Sequence, residues 1–389
     1  LSTGTFAMFT QEQIKLSFTD IHSYLDCWQP QPIETASSFP AQMYTSEYIY
    51  QLEQERVFGK RWLYVGHISQ LPEPGSYFTI EMAQQPLLIT RNLAGELRGF
   101  FNVCPHRAGP IALDSGQCHR FTCLYHAWTF DLNGDLKAVP HMGGAENLNL
   151  PDYGLKPIQV DTWGPFIFVN LDPAAEPLAK QLGGLVAQFE RFNFSNLVKV
   201  KRIDYEVKSN WKLYVENSSE SYHVSMVHPT LDLFKTLDRF ESDAQQHYYS
   251  EYFPFLDSSD EVQHGLTPGL FIEGLNPLEM GGTSVTVVYP NLILVTSPYF
   301  VLARMVNPQG LSKTHAQFEW FVPNTELAQT EANIAAVVRI YDEVVREDLV
   351  MLDHVQQRVR SLNYTPGRLS PTLEVGVHRF QHALMEYIC

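Results

Sequence analysis

Residues 104–126 read CPHRAGPIALDSGQCHRFTCLYH. Two short pairs stand in this stretch: Cys104 and His106 in Cys-Pro-His, then Cys123 and His126 in Cys-Leu-Tyr-His. Each pair offers one thiolate and one imidazole from a tight loop. A [2Fe–2S] cluster usually takes four thiolates, but in one cluster type two histidines replace two cysteines on one iron. Two loops that each give one Cys and one His supply that ligand set. A structural zinc site can use the same donors, yet zinc sites usually show C-x2-4-C or H-x3-5-H spacing, and neither spacing links the four donors of these two pairs. Cys118-His119 is a decoy pair inside the window and reads as loop or core.

The chain has 389 residues, enough for two domains or one large one with an ample core. A hydrophobic content of 44% with 18% charged residues places it among ordinary globular proteins. The net charge of −16 argues against nucleic acid or an anionic membrane as partner. Of five cysteines, Cys27, Cys118 and Cys389 remain outside the ligand pairs in no disulfide pattern, which favours a reducing, cytoplasmic compartment. The opening LSTGTFAM lacks the basic segment and apolar run of a signal peptide. Met8 reads as a natural start, with residues 1–7 a remnant or a product of processing. The most apolar long window, 285–306, is interrupted by Pro290, Asn291, Pro298 and Arg304, so it reads as strands and turns and the protein as soluble.

Residues 10–40 end in a Pro-containing connection, and 46–61 (SEYIYQLEQERVFGKR) is helical with Ser46 as cap. Short alternating runs follow: WLYVGHI, YFTIEM, PLLITRN and LRGFFNV, each punctuated by Pro, Gly or Asn. Asn133-Gly134 inside AWTFDLNGDLKAV signals a two-residue hairpin. Residues 163–171 form a buried strand, 178–189 a helix, 199–207 a strand, 245–323 a strand-rich region and 326–360 a long helix. The fold class is α+β: an all-β cluster domain over residues 40–165 and a larger antiparallel-sheet-and-helix catalytic domain over 166–389, with residues 1–39 packing on the latter.

A second ligand set lies in 210–230, NWKLYVENSSESYHVSMVHPT. His223 and His228 are five apart, and on an ideal helix they diverge by about 140°. Both reach one metal only if the helix ends or distorts between them, and Pro229 supplies a reason. The third ligand of a two-histidine, one-carboxylate iron(II) site comes from the long helix. There Asp348 falls within about 40° of the apolar stripe Val337, Tyr341, Val344, Leu352, Val355 and Val359. A carboxylate on such a stripe is costly unless it is paired or metal-bound. Glu343, Glu347 and Asp353 fall off the stripe and read as solvated.

Together these motifs resemble the catalytic (α) subunits of Rieske non-haem iron oxygenases, from about residue 40 onward. The resemblance implies a Rieske [2Fe–2S] cluster on Cys104, His106, Cys123 and His126, and mononuclear Fe(II) on His223, His228 and Asp348. It also implies a catalytic role for Glu220, which stands three residues before the first His, where Asp is usual in this family. Such a residue bridges a cluster histidine of one subunit to an iron-binding histidine of the next, across a head-to-tail homotrimer. CPHR, CLYHAWTFDLNG, ENSSESYH and the terminal FQHALM resemble the branch containing choline monooxygenase, glycine betaine oxygenases and carnitine oxygenase.

The implied reaction is mono- or dioxygenation with O2, giving hydroxylation or N-demethylation of a small quaternary amine. No G-x-G-x-x-G follows a strand, so electrons come from NAD(P)H through a separate reductase or ferredoxin, docking near Arg107 and Arg120. Tyr289, Tyr299, Phe300 and Trp320 are candidates for holding a cation by cation–π contact. The alternatives are an aromatic-ring hydroxylase or an O-demethylase of an aromatic acid, and an electron-transfer Rieske protein without oxygenase activity.

Overall fold

The computed structural model describes residues 21–228, 241–244, 247–255 and 270–389. The four alternating runs fold as β1 (Leu63–His67), β2 (Ser76–Met82), β3 (Gln85–Arg91) and β4 (Leu97–Phe101). With β5 (Ser115–Gln117), β9 (Pro157–Trp163) and β10 (Phe166–Asn170) they make an antiparallel sheet in the order β1-β10-β9-β4-β3-β2-β5. This sheet extends past the expected division at residue 165, to Asn170. A small sheet of β6 (Phe121–Thr122), β7 (Thr129–Phe130) and β8 (Leu136–Ala138) carries the second Cys/His loop between its first two strands. The Asn133-Gly134 hairpin is present, but its loop has three residues rather than two. The Asp131 N–H donates to Asp135 O at 3.0 Å, and Gly134 sits at φ +88. The left-handed glycine closes the longer loop, a common hairpin form.

The second sheet is antiparallel in the order β11-β17-β16-β15-β14-β13-β12. Its members are β11 (Leu197–Val207), β12 (Glu241–Ala244), β13 (Tyr248–Pro254), β14 (Gly282–Val288), β15 (Leu292–Thr296), β16 (Val301–Gly310) and β17 (Lys313–Pro323). One face packs on the first unit, where Tyr64 Oη donates to Glu319 Oε2 at 2.8 Å and Asn291 exchanges two bonds with the Tyr64 backbone. The other face is covered by helices. Ser46 caps α1 (Glu47–Leu52) as expected, accepting from Ile49 N, and 53–58 continues it as a wider π-turn. Further along come α2 (Trp211–Asn217), α3 (Val224–Val227), the 28-residue α4 (Glu331–Arg358) and α5 (Val375–Ile388). The helix expected over 178–189 is broken into Leu178–Leu182 and Leu185–Gln188 at Gly183, which adopts φ +53. Residues 21–39 pack on the C-terminal part: His378 Nε2 meets Gln31 O at 2.7 Å, and Trp28 lies edge-on to His382. Residues 1–20 lie outside the described residues.

The helical layer is stitched by a buried polar network. Lys212 of α2 and Glu53 are both fully buried and form an ion pair at 2.5 Å, while Trp211 Nε1 donates to the other Glu53 oxygen at 2.7 Å. One turn on, Glu216 accepts from Tyr44 Oη at 2.8 Å and from Gln381 of α5 at 3.0 Å. Burial pushes the Glu216 carboxyl up to about 7 despite these donors. Removing one partner of such a pair strands a charge in a dry interior. Lys212→Met is expected to cost about 3–5 kcal/mol, read from denaturant midpoints, with Glu53→Gln/Lys212→Met recovering much of the loss. A single variant within about 1 kcal/mol of the parent contradicts this reading.

Candidate metal centres

Two loops of like construction carry the first centre. The Ala108 N–H donates to Cys104 O at 2.9 Å, and the Ala127 N–H donates to Cys123 O at 3.0 Å. Both alanines take left-handed backbone, at φ 53 and φ 58, which folds each loop tightly around its cysteine. The loops lock to each other and to the small sheet: the Leu124 N–H donates to Pro110 O at 3.1 Å, and the Cys123 N–H to Trp128 O at 2.8 Å. Cys104 and Cys123 are buried, and the Cys104 thiol is pushed up by burial with Cys123 beside it. His106 stacks on Trp128 at 4.8 Å between ring centres, and the His106 and His126 rings are 4.7 Å apart.

Two observations fit this loop pair to a cluster. His106 Nδ1 is buried with no hydrogen-bond partner, a vacancy a metal ligand would explain. A Cβ on Gly109 would come within 3.0 Å of Cys123 Sγ, so only glycine lets the backbone pass the thiol. Leu124 and Tyr125 are exposed beside the histidines, with Arg107 Cζ 5.4 Å from the Tyr125 ring centre.

The second centre forms where α2 stops. Asn210 caps that helix, accepting from Lys212 N, and it ends at Asn217 rather than running on through His223. Glu220 lies in the intervening turn. His223 and His228 flank the single turn α3, and His228 leaves helical geometry at φ −114, ψ 69. Pro229, the reason expected for this, lies outside the described residues. The short helix, not distortion of a long one, lets both rings face one point.

Donor atoms of His223, His228 and Asp348 lie within 4.8 Å of one another. Asp348 Oδ1 is 3.4 Å from His223 Nε2 and 3.1 Å from His228 Nε2. The His228 atom is buried and not aligned for a hydrogen bond. Each Nδ1 meets a second carboxylate, Glu220 Oε1 at 2.5 Å from His223 and Glu347 Oε2 at 2.8 Å from His228. That arrangement fixes both tautomers with Nε2 turned to the metal position, as in carboxylate–histidine–metal triads.

Electrostatics agree with a cation at that point. Burial lowers the His223 imidazole, but Asp348 and Glu220 outweigh it and raise it to about 10. His228 rises likewise, Asp348 and Glu347 overcoming burial and the repulsion of His223. Asp348 falls below its ordinary range because the two imidazoles outweigh its burial. Without a metal, protons on the two imidazoles balance the carboxylates; a divalent cation can replace them.

Several sequence expectations change. Glu347, read as solvated, is the partner of His228. The buried side of α4 is turned slightly from the expected stripe: Val345 is buried and Val355 exposed. Asn217, unmentioned by the pattern, places Nδ2 3.0 Å from His223 Nε2 and 3.4 Å from Asp348 Oδ1. Its place at the end of a short buried helix gave no sign of this. The four candidate aromatics scatter through the core: Tyr289 packs on Phe380, Phe300 on Tyr341, Trp320 on Phe318 and Tyr299 on Phe255.

Comparison with known proteins matches residues 61–154 to the Rieske [2Fe-2S] domain and residues 194–389 to the catalytic domain of the ring hydroxylating alpha subunit. The chain is 30% identical to chloroplastic choline monooxygenase of Arabidopsis thaliana, over 95% of this chain and 87% of that protein. It is 29% identical to the carnitine monooxygenase oxygenase subunit of Acinetobacter baumannii, over 91% and 95%. A solved quaternary ammonium Rieske monooxygenase superposes with a TM-score of 0.81 at 25% identity, covering 93% of this chain and all of that one. No helix among the described residues is long and apolar enough to cross a membrane. The chain belongs to the Rieske non-haem iron oxygenases, as an α subunit with a Rieske [2Fe–2S] cluster domain and a catalytic domain of the kind that binds mononuclear iron.

Proposed function

We propose that this protein is the terminal oxygenase of a multicomponent system that hydroxylates or N-demethylates a small quaternary amine. The observation that carries the reading is near-full-length similarity to relatives named for choline and carnitine, in a chain whose triad is complete. We assign Cys104, His106, Cys123 and His126 to the cluster, and His223, His228 and Asp348 to the iron. When bound, the cluster passes electrons one at a time and the iron, with open positions beside its three protein ligands, activates dioxygen.

The residues of the chain do the rest. Glu220 and Glu347 hold the two imidazoles in one orientation and raise their basicity. Asn217 offers an amide N–H beside the ligand atoms, where it can steady a polar group entering the site. Trp128, stacked on His106, keeps that ring fixed while its neighbour His126 stays open to solvent. Electrons come from a reductase or ferredoxin that docks on the rim formed by Leu124, Tyr125 and Arg107, which joins apolar and cationic groups. Glu220 is the route between centres: it holds His223 on this chain and reaches toward a cluster histidine of the next subunit in a head-to-tail homotrimer. A cytoplasmic location follows from the free cysteines and is part of the same reading.

The reading is tested by reconstituting the oxygenase with a surrogate reductase and scoring oxygen uptake with formaldehyde release across quaternary amines and aromatic acids. Uptake coupled to at least one quaternary amine is expected. Coupling to aromatic acids alone selects the ring-hydroxylase alternative, and no uptake with any reductant selects the electron carrier. Glu220→Gln is expected to retain both metal centres and slow electron transfer between them by about 10–100-fold, seen as delayed reoxidation of the reduced cluster by stopped flow. Unchanged reoxidation would refute the bridging role.

A further inference from the structure

The helix-covered face of the second sheet holds a charged side chain that neither centre uses. Arg304 on β16 is only 6% exposed and pairs with Phe318 on β17 and Ile293 on β15. Its Cζ lies 5.0 Å from the ring centre of Phe318 and 5.4 Å from that of Tyr341. Tyr341 belongs to α4, so the guanidinium points from the sheet toward the helix that bears Asp348. Seven residues of helix separate Tyr341 from Asp348, roughly 10 Å along the axis. Tyr214 of α2 feels both charges: burial pushes its phenol up to about 12, while Arg304 lowers it and Asp348 raises it.

This arginine lacks what a core cation needs. No carboxylate pairs with it among the described residues, and its Nε has no hydrogen-bond partner. Trp320 Nε1, next along the same face beyond Phe318, is also buried and unpartnered, and the buried Tyr214 Oη has only the Arg304 guanidinium beside it. Glu251 of β13, on the same face, stands three strands away and accepts from Ser221 Oγ at 3.2 Å. Arginine does not shed its proton in a protein, and a buried charge normally finds a counter-ion. The two rings offset part of the cost by cation–π attraction. What is missing is a counter-ion: Arg304, with the Tyr214 phenol beside it, offers donor groups, one permanently charged, to an anion between the sheet and the helix that bears Asp348.

We propose that Arg304 anchors a carboxylate of the substrate, assisted by Tyr214, so that zwitterionic betaines are selected over amino alcohols lacking that group. The inference rests on the quaternary-amine reading and sharpens it. A planar fork facing a carboxylate gives two parallel, charge-assisted bonds, which choline cannot form.

The test is calorimetric binding to the anaerobic, iron-loaded full chain, with glycine betaine, its methyl ester, choline and benzoate as probes. Wild type is expected to bind glycine betaine about 10- to 100-fold more tightly than the ester or choline. Arg304→Gln should erase that difference by weakening the acid alone, and Arg304→Lys should keep part of it. Equal affinity for the acid and its ester overturns the proposal on wild-type protein, whether or not the variants fold. Betaine and choline binding alike, insensitive to Arg304→Gln, overturns the anchor and leaves the quaternary-amine reading standing. Benzoate binding through Arg304 with no quaternary compound bound overturns the betaine preference and that reading together.

Discussion

Asp348 is a carboxylate on the inward side of a 28-residue helix, its Oδ1 held between two imidazole nitrogens at 3.1 and 3.4 Å. Desolvating such a group is unfavourable unless cations meet it, and everything around it is arranged to make the position tenable. Val337, Val345, Leu352 and Val359 bury the rest of that side of α4, and Tyr205 Oη on β11 donates to Asp342 at 2.5 Å, pinning the helix to the sheet. Asn210 N donates to Gln356 Oε1 at 2.6 Å, tying the far end of α4 to the start of α2. The chain leading into α2 is thereby tied to α4 on both sides of Asp348.

The two centres are made rigid by different means. The Cys/His loops depend on local backbone: a repeated bond back to the cysteine carbonyl, left-handed alanines and a glycine passing a thiol. The histidine segment depends on tertiary support. Helix α2 is held from behind by Glu53, Tyr44 and Gln381 acting on Lys212 and Glu216, and Asn217 emerges into the site from its last turn. Support of this kind keeps ligand rotamers within the narrow range that a metal site requires. Burying Lys212 and Glu53 far from any ligand makes sense as orientation of the site-bearing helix, not as net stabilisation.

Legibility in the sequence followed locality. The paired Cys/His loops, Ser46 as a cap and the strands β1 to β4 could be read because spacing and period act over a few residues. The inward placement of Asp348 could be read because a single carboxylate interrupted an apolar stripe. Glu347 could not: its helical angle points it off the stripe, but a flexible side chain reaches around to His228. The break after Asn217 escaped because Ser218–Glu220 is compatible with a helix. Arg304 was passed over as a mere interruption of an apolar run, since a sequence does not show whether a buried cation has a partner. Of the four candidate aromatics only Trp320 lies in a strand; Tyr289, Tyr299 and Phe300 stand in the connections around β14–β16, and all four are buried in the core, so their type carried little information about a cage.

The central claim is that Asp348 turns an electron-accepting fold into an oxygenase by completing a second metal site. Iron and acid-labile sulfide should be counted in anaerobically prepared wild type and Asp348→Ala, with the electron paramagnetic resonance of the reduced cluster recorded for each. The account predicts about three irons and two sulfides per chain in wild type. The variant should lose one iron while its cluster signal is unchanged. Equal iron in both proteins, or loss of the cluster signal together with the iron, would contradict it.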